Sequence, residues 1–236
     1  MTTGSILSPA AVVAFIGPLG TGKTEVAINY SLLALRGGRK TYLVDFDIVT
    51  PYFRVGDCRR ELEQMGVRVI AARGALASFE NPSLVPEVGG ALQDADGLVV
   101  LDVGGDQQGA RLLVVYREQI AARQHELWLV VNPYRPGSSL DSVAALRRLV
   151  EEATSLRVTG LVADPHLGPL TRTDHIERGL ALLTEASVTM ACPLVFLAVA
   201  EHLIGELGAV SVPVLPLRLF MRLPWETAQG QERAAQ

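Results

Sequence analysis

Residues Gly17 to Thr24 read Gly-Pro-Leu-Gly-Thr-Gly-Lys-Thr, a complete G-x-x-x-x-G-K-[ST] phosphate loop. An apolar run, Ala11-Val12-Val13-Ala14-Phe15-Ile16, precedes it, and a helix-like stretch from Glu25 to Arg36 follows. The flanks matter as much as the motif. A buried strand must deliver such a loop, and a helix N-terminus must receive the phosphates. A glycine-rich turn that merely joined strand to helix would not require Lys23 and Thr24 directly after Gly22.

The loop has a definite chemistry. Nucleoside triphosphates carry negative charge on closely spaced oxygens, and backbone N–H groups can wrap them where no Cβ intervenes. Gly17, Gly20 and Gly22 supply that approach, with Pro18, Leu19 and Thr21 between them. Pro18 has no N–H to donate, so it is expected on the outer side. Lys23 is the expected catalytic cation on the β- and γ-phosphates. The Thr24 hydroxyl is expected in a Mg²⁺ shell that otherwise keeps several waters.

Composition narrows the class. The 236 residues suit one α/β domain, expected over 1–225, with a polar tail over 226–236 that frays. Hydrophobic residues make up 49% and charged residues 19%, enough for a sheet buried on both faces. Lys plus Arg is 21 against 25 for Asp plus Glu, so no domain-wide basic field for nucleic acid is implied. Cys58 and Cys192 are far apart, which argues against a disulfide framework or thiolate metal clamp and for a reduced, cytoplasmic chain. Met1 to Pro9 has neither the basic residue nor the apolar core of a signal peptide. The most apolar stretch, Val188 to Ala200, is broken by Pro193 and too short to span a bilayer, so no membrane contact is expected.

Apolar runs of strand length alternate with longer amphipathic runs. Strands are expected at Val12–Ile16, Thr41–Phe46, Val67–Ala71, Leu98–Val103, Leu127–Val131, Val158–Val162, Leu194–Ala198 and Val212–Leu215. Helices are expected at Lys23–Leu35, Cys58–Met65, Gly109–Arg123, Ser139–Ala153, Asp174–Glu185 and Ala200–Leu207. Gly37-Gly38 is a natural stop for the first helix, and Ser139 a natural N-cap. This alternation, with few hairpin signals, predicts a doubly wound parallel α/β sheet with helices on both faces. Gly74–Pro86 reads as a loop, either covering a ligand or simply connecting elements.

Acids close two of these strands. Asp45 and Asp47 lie two residues apart and so point the same way, at the strand end where ligands of open α/β sheets sit. Leu98-Val99-Val100-Leu101-Asp102 is a Walker B pattern, with Asp102 reaching Mg²⁺ through water. It continues as Asp102-Val103-Gly104-Gly105. Gly105 can offer its N–H to a γ-phosphate, and the glycine pair can swing when that phosphate leaves. Asp106, Gln107 and Gln108 follow as candidates for contact with water or a partner.

Together these motifs resemble the SIMIBI class of P-loop NTPases, and within it the CobQ/CobB/MinD/ParA nucleotide-binding group. Asp45-Phe46-Asp47-Ile48-Val49-Thr50-Pro51-Tyr52-Phe53-Arg54, Leu101 to Asp106 and His166-Leu167-Gly168 look like a bacterial set of ATP-binding proteins of that group. The resemblance spans Val12 to about Trp225. It implies a mainly parallel sheet of seven or eight strands, Mg²⁺ and ATP as ligands, and slow hydrolysis coupled to a protein partner or homodimer. It puts Lys23 and Thr24 at phosphate and metal, Asp47 at the water-orienting position, Asp45 and Asp102 in the outer metal shell, and Gly105 at the γ-phosphate.

The departures are informative. ParA and MinD loops carry a lysine after the first glycine that reaches across a sandwich dimer; here that residue is Pro18. Arg54 and Arg111 are the candidate replacements. The base is poorly determined. Asp164 can accept from guanine N1–H and N2–H, or serve as the acid of an Asp-Pro turn. There is no N-K-x-D, and adenine is expected from the resemblance alone. Asn132-Pro133-Tyr134 is a further candidate for base or ribose. Of the four histidines only His166 lies in a loop at a strand end, where a solvated residue is expected. Leu217 to Trp225 is expected to pack on the domain. An ATP-driven switch is the favoured function. Phosphotransfer or ligation on a small acceptor, as in the CobQ/CobB and dethiobiotin-synthetase neighbourhood, is the alternative.

Overall fold

A computed structural model describes residues 6–47, 55–71 and 84–221. The chain runs β1 (Val12–Gly17), α1 (Lys23–Arg36), β2 (Lys40–Phe46), a 3₁₀ turn (Val55–Cys58), α2 (Arg59–Gln64), β3 (Arg68–Ile70), α3 (Leu84–Gln93) and β4 (Gly97–Gly104). It continues with α4 (Gln107–Ala121), β5 (His125–Val131), α5 (Leu140–Thr154), β6 (Gly160–Ala163), α6 (Thr173–Thr189), β7 (Leu194–Ala200), a second 3₁₀ turn (Glu201–Glu206) and β8 (Val214–Leu217). The strands form one eight-stranded sheet in the order β3-β2-β4-β1-β5-β6-β7-β8, with every neighbouring pair parallel. The expected doubly wound parallel architecture is the observed one.

Strand periodicity explains the two cores. In β1, Val12, Ala14 and Ile16 face one side, with Val88 of α3, Leu113 of α4, Val143 of α5 and Ile176 of α6. Val13 and Phe15 face the other, with Val26 and Tyr30 of α1 and Leu62 of α2. Phe15, Tyr30, Trp128 and Phe196 form an aromatic cluster on that face. Ring centroids are 5.2 Å apart for Phe15–Tyr30 and 5.6 Å for Tyr30–Trp128. This cluster seats α1 on the sheet directly behind the phosphate loop. α1 thus leaves β1 onto one face, while α4 and α5 leave the adjacent strands β4 and β5 onto the other. Divergence of this kind opens a crevice at the carboxyl ends of the strands.

The sequence expectation differs from the structure at α3. Pro86 and the Gly89-Gly90 pair lower its intrinsic helix propensity, so the sequence predicts no helix here and reads its first turn as part of the Gly74–Pro86 loop. Pro86 falls in that first turn, where a missing N–H costs nothing, and burial of Val88, Ala91 and Leu92 holds the rest. The remainder of the Gly74–Pro86 stretch, over 74–83, lies outside the described residues, as do Arg54 and the tail beyond Met221. Among the described residues no helix is long and apolar enough to cross a membrane.

Candidate functional site

The phosphate loop is shaped by two left-handed glycines, Gly20 at φ 82° and Gly22 at φ 83°, a backbone region that L side chains rarely adopt. Thr21 folds back on the loop, its hydroxyl donating to the Pro18 carbonyl at 2.9 Å. Pro18 is partly exposed and Leu19 is exposed at the loop tip, while Lys23 and Thr24 turn inward and are buried. Gly22 then starts α1 without a side-chain cap, which leaves the first helical N–H groups facing the loop.

Register carries the acids to the same place. Gly17 of β1 pairs with Gly104 of β4, and Asp45 of β2 with Asp102 of β4. Thr24 Oγ1 donates to Asp102 Oδ2 at 2.7 Å. Lys23 Nζ lies 2.5 Å from Asp47 Oδ2, both side chains almost fully enclosed. The Asp47 N–H donates to Asp45 Oδ1 at 3.1 Å. Burial alone would lower the Lys23 pKa, but Asp102, Asp47 and Asp45 together raise it, so the ammonium stays charged. Burial pushes Asp102 up to about 6, against the opposing pull of Lys23 and the Thr24 hydroxyl.

Gly105 lies against the phosphate loop, backbone on backbone. A Cβ there would stand 2.5 Å from Gly17 C and Pro18 N, so only glycine fits. Asp106 has a structural role: its Oδ1 accepts from the N–H groups of Gln108 and Gly109 and caps α4. Gln107, Gln108 and Arg111 are exposed on α4.

The site fits a hard divalent cation held largely through water. Asp102 Oδ1 is buried and has no hydrogen-bond partner, while its other oxygen takes the Thr24 hydroxyl. An orphaned buried carboxylate oxygen beside a threonine hydroxyl suits a Mg²⁺-bound water. Among the described residues no group of three or more His, Cys, Asp or Glu side chains could cage a metal directly.

The opposite rim comes from β5 and β6. Asp164, just past β6, is buried against Gly22 and fills the space that a Cβ there would take. Burial, and then the nearby Glu25, raise its pKa well above the usual carboxylate range. His166 Nε2 is buried, 3.9 Å from Asp164 Oδ2 and close to the Gly20 backbone. Burial, and then Arg135, lower its pKa to about 4, so the ring is neutral at pH 7. The expectation of a solvated loop histidine is therefore too simple: Nε2 is enclosed beside the loop. Asn132, fully buried just past β5, ties this rim together by donating to the His166 carbonyl at 2.8 Å.

The structure also shows residues that the motif reading passed over. Arg135 lies across Gly20, its Nε 3.3 Å from where a Cβ would be. Glu25, next to Thr24, accepts from the N–H groups of Phe220 at 2.9 Å and Met221 at 2.7 Å. Asn29, one turn on, exchanges hydrogen bonds with the Arg218 backbone at 2.9 and 3.0 Å. The segment after β8 is thus tied to the first turns of α1. Arg135 follows β5 as Asp102 closes β4, and that strand-end position was the available signal.

No family model matches the chain, and no curated protein does. Solved structures do. The fold they share with this chain is an α/β, P-loop NTPase-like one, with a single parallel sheet flanked by helices. The chain is similar to the cell division protein FtsY from Thermotoga maritima, with 20% identity and a TM-score of 0.56 over 85% of this chain and 66% of that one. It is similar to FtsY from Elizabethkingia anophelis in complex with GDP, with 17% identity and a TM-score of 0.52 over 85% and 60%. The signal recognition particle 54 kDa protein from Aeropyrum pernix K1, also in complex with GDP, gives 19% identity and a TM-score of 0.50 over 80% and 42%. The chain spans between 42% and 66% of the length of these three proteins.

Proposed function

We propose that this chain is a Mg²⁺-dependent nucleotide switch with slow NTPase activity, and that GTP is its preferred nucleotide. One observation carries the reading: Lys23 and Thr24, which end the loop motif, are each held by an acid, one just past β2 and one in β4. Lys23 meets Asp47 at 2.5 Å, and Thr24 meets Asp102 at 2.7 Å. Bound phosphates would draw Lys23 away from Asp47, leaving that carboxylate to orient an attacking water. Mg²⁺ would supply charge neutralisation of the phosphates, with Thr24 as ligand and Asp102 and Asp45 in its outer shell. Gly105, in contact with Gly17 and Pro18, is the γ-phosphate sensor. Exposed Leu19, Leu140, Leu170 and Leu219 follow β1, β5, β6 and β8 and offer apolar contacts to a protein partner or second copy at the same edge.

The choice of guanine rests on Asp164 and on two similar structures that hold GDP. An ionised carboxylate matches the adjacent N1–H and N2–H donors of guanine. ATP is the second reading, and a specific observation favours it. Burial drives Asp164 toward its neutral form, which offers one donor and one acceptor, the pattern of adenine N1 and N6. The narrower likeness to the ParA/MinD group and its ATP ligand rests on the sequence motifs.

The test is phosphate release from purified protein with Mg²⁺–GTP and Mg²⁺–ATP. Slow turnover without any small acceptor, accompanied by a nucleotide-dependent change of oligomer, supports the switch. A strict requirement for an acceptor would move the assignment to phosphotransfer.

A further inference from the structure

The geometry points to Arg135 as a cation that grips the nucleotide from the base side, at the α-phosphate, in cis. This rests on the nucleotide-binding reading above. Arg135 Nε, Cδ and Cζ lie 3.3, 3.5 and 3.6 Å from the position of a Cβ on Gly20. The guanidinium therefore lies against the phosphate loop at Gly20. It has no acidic partner among the described residues. An exposed arginine held over an anion-binding loop without a carboxylate is a cation in search of an anion.

The segment that carries it is built. Asn132 Oδ1 accepts from the Tyr134 N–H at 3.1 Å, and the Asn132 carbonyl accepts from the Arg135 N–H at 3.1 Å. The Tyr134 hydroxyl donates to the His175 carbonyl of α6 at 2.6 Å. Gly137, at φ 81°, turns the chain back toward α5. Arg135 is thus presented from a braced turn rather than a free loop.

Topology decides which phosphate it meets. Asp47, Asp102 and Gly105 approach from β2 and β4, so the metal and the γ-phosphate belong on that flank. Arg135 comes from β5, on the other side of β1, beside His166 and Asp164 from β6. A group there meets the end of the phosphate chain nearest the base. His166 Nε2, 3.5 Å from the Cβ position of Gly22, is placed to add a neutral hydrogen bond at the same end. Arg135 therefore does not replace the missing trans lysine at the γ-phosphate. It is a second, cis contact, common to triphosphate and diphosphate.

Isothermal titration with Mg²⁺–GTP and Mg²⁺–GDP, with the adenine pair alongside, tests this. Arg135→Met keeps the apolar stem over Gly20 and removes the charge. It should weaken triphosphate and diphosphate alike, each about tenfold, the scale of one charge-assisted hydrogen bond. Arg135→Lys should recover part of the loss, and the salt dependence of binding should be shallower in Arg135→Met than in wild type. If Arg135→Met binds both nucleotides as wild type does while Lys23→Ala abolishes binding, the role of Arg135 is wrong and the nucleotide reading stands. A loss confined to the triphosphate would also overturn it, by moving Arg135 to the γ-phosphate. If wild-type protein binds no Mg²⁺–nucleotide, both fail together.

Discussion

Lys23 Nζ and Asp47 Oδ2 are 2.5 Å apart, and the two side chains are only 5% and 6% exposed. This ion pair holds the phosphate-loop cation in place. Asp47→Asn should leave a buried ammonium with a weaker partner and cost about 3 kcal/mol in urea unfolding of the free protein. Mg²⁺–nucleotide should restore part of that loss, because phosphate oxygens take over the lysine. The raised Lys23 pKa gives stability that persists at neutral pH and is lost only as pH rises above about 10. Unfolding of Asp47→Asn with and without ligand checks the exchange.

Asp102 offers one buried oxygen with no partner. Asp102→Asn should retain the fold and lose the Mg²⁺ dependence of nucleotide affinity by tenfold or more, because the outer-shell charge is gone. Titration of Mg²⁺ at fixed nucleotide reads this directly.

Gly105 touches the loop backbone with no room for a methyl group. Gly105→Ala should force Gly17 and Pro18 apart, cost about 2 kcal/mol in stability, and uncouple nucleotide binding from any change of oligomer. Thermal melting and light scattering, with and without nucleotide, separate the two effects.

Much of this was legible because it is local. Val12 to Thr24 is strand, turn and helix start in one stretch, and the chemistry of Lys23 and Thr24 needs no distant partner. Asp47 and Asp102 stood out only beside the phosphate loop, because many buried strands carry an acid near their carboxyl end. The pairings were not legible. That Lys23 chooses Asp47, and Thr24 chooses Asp102, follows from the β2-β4-β1 order, which no single segment states. Arg135 was hidden for the same reason: it follows β5 and Gly20 follows β1, strands that are neighbours in the sheet but far apart in the chain. Glu25 reads as a first-turn helix acid, yet its carboxylate is taken up by Phe220 and Met221 at the far end of the chain.

That last contact predicts a pH dependence. Burial raises the Glu25 pKa from 4.5 to about 7, against the two backbone N–H donors that lower it. A folded pKa above the unfolded one gives stability that is present at low pH and lost as pH rises through the folded value. Between pH 4.5 and 7 the Glu25 contribution should therefore fall. Asp102 and Asp164, also raised, act in the same direction. Glu25→Gln should flatten the decline of the melting temperature across that window. Faster hydrogen exchange at the backbone of Phe220 and Met221 should accompany any release of the segment.

The central claim is that the phosphate loop binds a nucleotide with guanine preferred. The most direct measurement is ligand-linked thermal stabilisation by GTP, GDP, ATP and ADP, each with and without Mg²⁺. A ligand at a hundred times its Kd should stabilise the native state by about 2.7 kcal/mol. The account predicts Mg²⁺-dependent stabilisation, larger for GTP and GDP than for the adenine nucleotides, and absent in Lys23→Ala. Stabilisation by the adenine pair alone would contradict the choice of base. No stabilisation by any of the four, or an undiminished response in Lys23→Ala, would contradict the site itself.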